Sequence, residues 1–486
     1  MRQYILVFVN GQQYRVTGAD AFLTLSDFLR RRLGLCGTKI VCSEGDCGSC
    51  SVLCGRPDAP GENREAFQYV VIDSCIRFMF QLDGCHIVTV EGLARDGTLN
   101  GVQQAMIDCH GSQCGFCTPG FVIAMTGLLE EKNEITESGW REGLTGNLCR
   151  CTGYTPIIQA GLKSNPFNTP CMNECYSSPS MIETIQSCQD DEIRIEFRDH
   201  QESLQTVYCP KTVQQVVEFL NEQPQAKVVA GATDIGVQFN KGVCQSQTWL
   251  DLNRVDELEG VAINGDKMVV GARATWTEIK DISRETVPRF HDILAVFGSP
   301  QIRHVGTIGG NIINASPIAD SIPFLLVCEA ELELTSQSGV RTVNINDFYL
   351  GYKQMDLQPG ELLTRIVIPL PAKHRQLGLY RVARRRDLDI SSFTAAISIE
   401  CDGDTITDAA IACGAVGPVV LRLRKTETFL CGRPLNLETM QLAGDVAVQE
   451  ITPITDVRGA AEYRFQLTRN VLLKFLHETQ PQGALV

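Results

Sequence analysis

The first residues of the chain place apolar side chains in short runs that are typical of β-strands. The Asn10-Gly11 pair between the first two runs is a strong signal for a tight hairpin turn. A helix capped by Thr24 or Ser26 should follow and end near Gly34. Strands are predicted over Tyr4–Val9, Gln13–Val16, Ser51–Leu53 and Tyr69–Ile72. The pattern predicts a small unit of mixed helix and strand at the start of the chain.

The pattern becomes helical between Leu99 and Leu129, where apolar residues recur at three- and four-residue steps. Pro119 is well placed to begin a helix, because its missing N–H is not needed in the first turn. A further helix is expected after Tyr154. The stretch 164–201 then loses this period and contains three prolines and an acidic patch, so we predict a linker there.

The remainder of the chain contains both strand-like apolar runs and segments with the helical period. A helix is predicted over Thr212–Leu220, followed by a buried strand that enters a turn of small residues after Val229. Strands and helices near the end of the chain are predicted over Ala395–Glu400, Thr407–Cys413, Glu438–Val448 and Thr468–His477. Since the chain has 486 residues, several domains are expected rather than one core.

Composition excludes several classes of protein. The formal net charge of -14 opposes non-specific binding to nucleic acid or to anionic membranes. More than half of the 21 cysteines crowd into the first third of the chain, unlike the framework of a short secreted disulfide protein. We see neither a signal peptide at the N-terminus nor a membrane-spanning run, and we expect a reducing cytoplasm in which thiolates remain available as metal ligands.

Four cysteines early in the chain have the spacing of an iron–sulfur site. Cys42, Cys47 and Cys50 are separated by four and two residues, and Cys75 follows at a distance, which is the plant-type ferredoxin pattern for a [2Fe–2S] cluster. Gly45 and Gly48 allow the backbone to curl around the metal. The alternative is zinc, but zinc sites more often come as two Cys-x2-Cys knuckles, so the spacing favours iron.

A second cysteine set consists of Cys114 and Cys117, in Gln113–Gly120, and Cys149 and Cys151, in Gly146–Tyr154. Both pairs stand at the N-terminal ends of predicted helices, where the helix dipole favours thiolate over thiol. Spacing alone leaves iron and zinc nearly equal for this set.

Two later segments are rich in small and hydroxyl or amide residues. The turn after Val229 would let backbone N–H groups approach a pyrophosphate, although strand–glycine–helix turns are common. The run Gly306–Asp320 suits a phosphate and a ribityl chain better than it suits a core.

These motifs, in this order, resemble the molybdenum hydroxylases, the xanthine dehydrogenase and aldehyde oxidase family. The resemblance implies an α+β multidomain chain with a β-grasp ferredoxin-like [2Fe–2S] domain, a helical-bundle [2Fe–2S] domain, a vanillyl-alcohol-oxidase-type FAD-binding domain and an α+β C-terminal flavoprotein domain. The domains would cover residues 1–88, 89–163, 202–372 and 373–486, with the linker at 164–201. Gln113 would approach the molybdopterin of a partner subunit, and Gly45 would lie closest to the flavin domain.

The resemblance also implies which residues bind each cofactor. The metal ligands would be Cys42, Cys47, Cys50, Cys75, Cys114, Cys117, Cys149 and Cys151. The FAD contacts would be Val228, Val229, Ala230, Gly231, Ala232, Thr233, Asp234, Ile235, Phe297, Thr307, Ile308, Gly309, Gly310, Asn311, Asp320, Leu363 and Arg381. Phe297 and Leu363 carry little chemical signature and fit an ordinary core about equally well. The basic run Arg384–Arg386 would gate nicotinamide access, although such a run is usually a solvated face.

The function implied is an electron-transfer subunit without catalytic acid–base residues of its own. It would pass electrons from a molybdopterin-binding large subunit, which oxidises hypoxanthine or xanthine, through two [2Fe–2S] clusters to FAD and NAD+, in a dimer of heterodimers. Joining cluster and flavin domains in one chain favours the bacterial xanthine dehydrogenase type. The alternatives are the same subunit of a hydroxylase acting on an aldehyde or N-heterocycle, and a zinc-stabilised interaction protein.

Overall fold

The computed structural model describes residues 1–57, 67–132 and 134–479, and these fold into two compact units. The first unit contains Met1–Asp256 and Ser299–Gly306, and the second contains Glu257–Gly298 and Thr307–Val486. Parts of three predicted domains, residues 58–66, 133 and 480–486, lie outside the described residues. In the described ranges, no helix is long and apolar enough to cross a membrane.

A five-stranded sheet begins the first unit. Its hairpin turns at Asn10 and Gly11, which have φ angles of 49° and 83°, as a type I′ turn requires. Ile5–Val9 is buried throughout because it lies inside the sheet, antiparallel to one neighbour and parallel to the other. In spatial order the strands are Gln12–Val16, Ile5–Val9, Cys85–Val88, Ser51–Pro57 and Phe67–Asp73. The predicted hairpin is confirmed.

Helices cover this sheet and extend beyond it. Thr24 caps the first helix, Leu25–Arg31, by accepting a hydrogen bond from the N–H of Asp27. Gly127 allows a later helix to approach the sheet closely, because a Cβ there would lie 2.3 Å from Cγ2 of Val71. The four later helices are Gly101–Asp108, Thr118–Glu131, Glu137–Gly143 and Thr155–Lys163, and Pro119 stands in the first turn of the second, as predicted.

The stretch 164–201, predicted as a linker, is folded onto the first unit, and we correct that prediction. Helices Met172–Tyr176 and Pro179–Ser187 bury apolar side chains in the same core as the helices before them. Pro179 begins a helix rather than interrupting one, so its presence concealed the period of Met181, Ile182 and Ile185. Short helical turns in this unit lie at Gly18–Phe22, Ser74–Ile76, Met79–Leu82, Val90–Leu93 and Pro166–Asn168.

A second sheet completes the first unit. In spatial order its strands are Ile193–Arg198, Leu204–Cys209, Thr248–Asp251 and Lys227–Val229. The first pair is antiparallel and the other pairings are parallel. The accompanying helices are Val213–Glu222, Ile235–Asn240 and Pro300–Arg303. As predicted, strand Lys227–Val229 leads into a turn of small residues and then a helix.

The second unit contains a five-stranded antiparallel sheet covered by helices. The strands, in spatial order, are Val261–Asn264, Lys267–Gly271, Leu362–Pro369, Glu331–Ser336 and Gly339–Asn344. The helices are Trp276–Thr286, Pro288–Val296, Ile308–Asn314, Ile322–Val327 and Ile345–Phe348. A short hairpin joins Tyr349–Gly351 to Gln354–Met355. One apolar core holds the sheet and helices together, and it includes the stacked rings of Phe290 and Phe324.

The rest of the second unit is an antiparallel sheet with helices packed on one face. Its strands are Gln376–Val382, Phe393–Asp402, Thr405–Gly414 and Leu421–Arg422. Its helices are Arg424–Leu430, Leu437–Ala447 and Ala461–Thr479. Ile397, Met440 and Phe475 are fully buried between these elements. The strands and helices predicted for this region are confirmed, with wider bounds except for the helix Leu437–Ala447, which begins and ends one residue earlier than predicted.

Candidate metal and flavin sites

The structure brings together the sulfurs of Cys42, Cys47, Cys50 and Cys75. Hydrogen bonds from the sulfhydryl of Cys47 and then from that of Cys75 lower the pKa of Cys42. The same contacts raise the pKa values of Cys47 and Cys75, because these sulfurs act as the donors. The sulfur of Cys75 also contacts that of Cys50. All but Cys42 are buried, so the first set forms a quartet shielded from water.

The loop around this first quartet depends on two glycines. Gly45 and Gly48 have φ angles of 71° and 64°, a conformation that side chains disfavour. A Cβ on Gly48 would lie 2.3 Å from the carbonyl oxygen of Gly146, which belongs to the second cysteine motif. The sequence argument that the backbone must curl here therefore agrees with the structure. The close contact also shows that the two cysteine motifs touch within the first unit.

The second set joins its two motifs by sulfur contacts. Cys151 Sγ lies 3.6 Å from Cys114 Sγ, and Cys117 contacts Cys149. Burial, followed by the hydrogen bond with Cys149, raises the pKa of Cys117 to about 12. Cys114 and Cys151 are exposed and the other two cysteines are partly buried, so this second quartet is much more accessible than the first.

The donor sets test which metal the sites suit. Among the described residues, no group of three or more His, Cys, Asp or Glu side chains has the arrangement of a single-ion site. The sulfurs instead contact one another within each group of four, in a chain from Cys47 through Cys42 and Cys75 to Cys50 in the first group and as two pairs in the second. Four cysteine thiolates are the ligands of a [2Fe–2S] cluster, so the residues present fit such a cluster in both places.

Asp73 is a neighbour of the first quartet that sequence reasoning did not find. Its carboxylate is buried and its Oδ1 accepts a hydrogen bond from Cys50 at 3.5 Å, while Oδ2 has no hydrogen-bond partner among the described residues. Burial raises the pKa of Asp73 to about 7. The only sequence signal was its position two residues before Cys75, at the end of a strand.

Buried side chains donate hydrogen bonds to the carbonyl oxygens of the turn predicted to bind pyrophosphate. Arg77 donates to the carbonyl oxygens of Ala230 and Gly231, at 3.4 and 3.2 Å, and Gln81 donates to Ala230 at 2.7 Å. The N–H groups of residues 232–234 have no hydrogen-bond partner within the described part of the chain. Oriented N–H groups of this kind form an anion-binding concavity, which fits a pyrophosphate.

Gly231 is needed for close packing at this turn. A Cβ there would lie 2.2 Å from the carbonyl oxygen of Val305. Val228, Val229, Thr233, Asp234 and Ile235 lie on the adjoining strand, turn and helix of the first unit, and Ala232 has a φ of 62°. Sequence reasoning found the turn but missed Arg77 and Gln81, since neither lies near it in the chain.

The second flavin-type run, residues 307–311, lies in the second unit and begins a helix. Thr307 Oγ1 accepts a hydrogen bond from the N–H of Gly310 at 3.1 Å. The N–H groups of Ile308 and Gly309 donate to carbonyl oxygens of Ala274 and Ala272. These three N–H groups are therefore already used inside the protein. The small residues here allow the helix to pack closely against the segment that contains Ala272 and Ala274. Asn311 accepts a hydrogen bond from Ser321.

Asp320 and Arg381, two predicted flavin contacts, bind each other. Nε of Arg381 lies 3.0 Å from Oδ2 of Asp320, and Ser391 donates to Oδ1 at 2.5 Å. Burial raises the pKa of Asp320, although Arg381 opposes this. The guanidinium also donates to the carbonyl oxygens of Arg386 and Asp389. Arg381 therefore stabilises the loop that contains the basic run Arg384–Arg386.

Phe297 and Leu363 lie among core residues of the second unit. Phe297 is half-buried and packs edge-to-face with Trp276 at a centroid distance of 5.0 Å. Leu363 is 4% exposed and pairs with Leu334 across the sheet. These positions fit the alternative in which both are ordinary core residues.

Four family models match successive parts of the chain. They describe a 2Fe-2S iron-sulfur cluster binding domain over residues 7–77, a [2Fe-2S] binding domain over 89–162, an FAD binding domain in molybdopterin dehydrogenase over 198–371, and a CO dehydrogenase flavoprotein C-terminal domain over 378–479. The first two ranges contain all eight predicted metal ligands. The predicted fold class is confirmed.

Curated relatives match almost the whole chain. Xanthine dehydrogenase 1 of Arabidopsis thaliana is 31% identical over 540 aligned residues, which cover 97% of this chain and 39% of that protein. Xanthine dehydrogenase/oxidase of Mus musculus is 29% identical, and the alignment covers 97% of this chain and 38% of that protein. The chain therefore spans well under half the length of these relatives.

Solved structures match a little over half of the chain. CO dehydrogenase from Oligotropha carboxidovorans has a TM-score of 0.52 and 29% identity, covering 56% of this chain and 95% of that chain. Quinoline 2-oxidoreductase from Pseudomonas putida 86 has a TM-score of 0.52 and 28% identity, covering 57% and 97%. With the four domain models in this order and the two cysteine quartets, these similarities place the chain in the molybdenum hydroxylase family, as an iron–sulfur and FAD-binding component.

Proposed function

We propose that this chain is the iron–sulfur and FAD subunit of a xanthine dehydrogenase. It would take electrons from a molybdopterin-binding large subunit that oxidises hypoxanthine or xanthine, and deliver them to NAD+. The observation that carries the proposal is the presence of two cysteine quartets and both flavin-type segments in one polypeptide. Alignment of 97% of the chain with a xanthine dehydrogenase supports the choice of substrate.

The residues of this chain would bind and position the redox groups rather than carry out acid–base chemistry. When bound, [2Fe–2S] clusters exchange single electrons, and a flavin links single-electron transfer to hydride transfer. Cys42, Cys47, Cys50 and Cys75 would hold one cluster in a buried site, and the second quartet would hold the other near the surface. Arg77 would keep the pyrophosphate turn in shape for the flavin by holding its carbonyl oxygens away from the anion.

The NAD+ part of the proposal rests on local charge. The chain carries a formal net charge of -14, so an anionic dinucleotide needs a positive area. In the basic run, Arg384 donates to a backbone oxygen of Val457 and Arg385 is paired with Asp389. Arg386 is exposed, and its side chain has no partner among the described residues. We propose that Arg386 supplies the positive charge that an approaching dinucleotide meets.

The proposed assembly is a dimer of heterodimers with the molybdopterin-binding subunit, in a reducing cytoplasm. The accessible second quartet supports docking of an electron donor on that side, since two of its four sulfurs belong to exposed cysteines. Thiolate ligands need a reducing compartment to remain free of disulfides, which supports the proposed location.

A hydroxylase acting on an N-heterocycle is the second candidate. It is favoured by the similarity to quinoline 2-oxidoreductase, whose matched chain is covered almost completely. The substrate would be decided by the partner subunit in either case, so this subunit would be little changed.

The test is to purify the chain with its partner and to measure NADH formation. Xanthine-dependent NADH formation would support the first candidate, and activity with quinoline, nicotinate or an aldehyde in its place would support the second. Metal and flavin analysis should give about four irons and one flavin per chain. Zinc in place of iron would contradict both candidates and favour an interaction protein.

A further inference from the structure

A buried polar network lies between the two cysteine quartets. The carbonyl oxygen of Gly48 accepts hydrogen bonds from the N–H of Ser51 at 3.1 Å, from Ser51 Oγ at 2.7 Å and from Asn147 Nδ2 at 3.0 Å. Gly48 stands between the ligands Cys47 and Cys50, whereas Asn147 precedes Cys149 by two residues. The network therefore joins the loop of the first quartet to that of the second.

Gln301 closes this network into a ring. Its Nε2 donates to Asn147 Oδ1 at 3.0 Å and to Ser51 Oγ at 3.3 Å. The side chain is 1% exposed. Ser51 and Asn147 have already used donor hydrogens on Gly48, so the atoms that face Gln301 are acceptors. The position consequently needs a side chain with two donor hydrogens, which the amide of glutamine supplies and a carboxylate does not.

The backbone near the ring is also tightly packed. The N–H of Leu148 donates to the carbonyl oxygen of Cys47 at 3.0 Å, so the chain next to Cys149 is bonded directly to a ligand of the first quartet. A Cβ on Gly146 would lie 1.9 Å from Oε1 of Gln301, and a Cβ on Gly120 would lie 2.1 Å from the carbonyl oxygen of Gly48. Such contacts leave little freedom for the two loops to separate.

Gln301 reaches this place on the segment Ser299–Gly306, which belongs to the first unit although the surrounding sequence belongs to the second. Ser299 caps its short helix by accepting a hydrogen bond from the N–H of Ile302. Ile302 packs against Cys50 and Cys75 of the first quartet and against the adjoining Ile76. The segment is thus anchored beside one quartet while Gln301 bridges to the other.

We infer that Gln301 is a positioning residue that sets the separation of the two iron–sulfur clusters and thereby the rate of electron exchange between them. The exchange moves one electron from the cluster of the second quartet to that of the first, and no bond is made or broken. The inference rests on the proposed function, because it requires a cluster in each quartet. It assigns Gln301 a role that neither cysteine spacing nor ligand identity indicates.

The test compares Gln301→Met and Gln301→Glu with the matched control Gln214→Met in the full chain. Methionine keeps the volume of glutamine without its donors, and glutamate keeps its shape without them. Gln214 is exposed on the helix Val213–Glu222. The readouts are iron content, the spin–spin splitting between the reduced clusters by electron paramagnetic resonance, and amide exchange of a peptide that contains Leu148.

We expect both Gln301 variants to retain full iron while the splitting decreases and the Leu148 peptide exchanges about tenfold faster, as loss of ring hydrogen bonds would cause. The control should match the unaltered chain. Unchanged splitting and exchange would overturn the inference, as would loss of iron from one quartet in both variants, because Gln301 would then act on cluster retention. If the unaltered chain itself contains no [2Fe–2S] clusters, the proposed function fails instead.

Discussion

The carboxylate of Asp320 is buried and depends on Arg381 for its counter-charge. The side chains are 10% and 6% exposed, respectively, and Ser391 supplies one further hydrogen bond. A buried pair of this kind contributes little net stability when it is intact, but removing one partner leaves a charge without compensation. The role of Arg381 in the second unit is therefore first to neutralise Asp320 and to hold the loop that contains Arg386.

Replacing Arg381 should destabilise this part of the second unit. We expect Arg381→Met to cost about 3–5 kcal/mol, because Asp320 would remain buried without a partner. The measurement is amide exchange of the strand Phe393–Asp402, which pairs with the strand carrying Arg381.

Arg385→Met is the matched control for this substitution. Arg385 is 63% exposed and pairs with Asp389, so its loss should cost less than about 1 kcal/mol. An equal loss of stability in Arg381→Met and Arg385→Met would show that the burial of Asp320 does not determine the cost of removing its partner.

Gly48→Ala should remove the first iron–sulfur site. Its φ of 64° disfavours a side chain, and the added Cβ would lie 2.3 Å from a backbone oxygen that cannot move aside easily. We expect iron to fall from about four to about two per chain, measured by elemental analysis.

Gly403→Ala is the control, since Gly403 has a φ of 59° but a Cβ there would meet nothing within 4 Å. It should cost about 1 kcal/mol from the backbone alone and leave iron unchanged. Full iron in Gly48→Ala would contradict the close-packing argument.

Residues that act through local spacing were predictable, and residues that act through distant contacts were not. The cysteine ligands share short motifs, and the turn after Val229 follows a visible strand. Asp73, Arg77 and Gln301 act on groups that folding brings together, and no periodicity marks them. For Asp320 and Arg381 the sequence indicated the right region but not their mutual ion pair.

The helices Met172–Tyr176 and Pro179–Ser187 show how a segment without an obvious period becomes part of a core. Met172 is 2% exposed, and its N–H donates to Oε1 of Glu130 at 2.9 Å, at the end of the helix Thr118–Glu131. By contrast, the helix predicted over Thr468–His477 lies within the longer terminal helix Ala461–Thr479. The helices Met172–Tyr176 and Pro179–Ser187 are short, and Pro166, Pro170 and Pro179 suggested a break that concealed their apolar period.

The contact at Glu130 should make the stability of the first unit depend on pH. Burial raises the pKa of Glu130 to about 7, although the hydrogen bond from the Met172 N–H acts to lower it. The carboxylate of Glu174 adds like charge nearby, and Tyr69 and Cys175 are the other titratable neighbours. Because the folded state holds its proton more tightly than the unfolded state, this contribution is present at low pH and is lost as the pH rises toward about 7.

Glu130→Gln should therefore stabilise the first unit above pH 7 by about 1–2 kcal/mol and have little effect near pH 4. The amide can still accept the hydrogen bond from Met172. The measurement is chemical denaturation at several pH values, with Glu183→Gln on the exposed face of the next helix as control. A gain in the free energy of unfolding that does not vary with pH would contradict this explanation.

At the scale of the whole molecule, both predicted metal sites belong to the first unit, and the second unit contains none of the proposed cysteine ligands. Metal-ligand binding energy is folding energy for the unit that holds the site. The second unit has its own apolar cores, so we expect its sheets to form without iron.

Removal of iron with a chelator should accordingly destabilise the first unit selectively. We expect a loss of more than about 2 kcal/mol in amide protection of strand Ser51–Pro57, whereas strand Thr405–Gly414 keeps its protection. Cys413→Ser, a change to a buried cysteine of the second unit, should leave the iron content intact. Equal loss of protection in both strands would show that iron also supports the second unit.

The segment Ser299–Gly306 has a consequence for fragments of this protein. His200, Gln201 and Glu202 form an exposed turn between two paired strands, where a protease could cut. The first unit would then be made of two polypeptides, because residues 204–256 and 299–306 would lie on the second fragment while the eight proposed cysteine ligands lie on the first. The nicked protein should migrate as one species until denaturant separates the pieces, and a gene divided at this turn should yield two chains that reassemble.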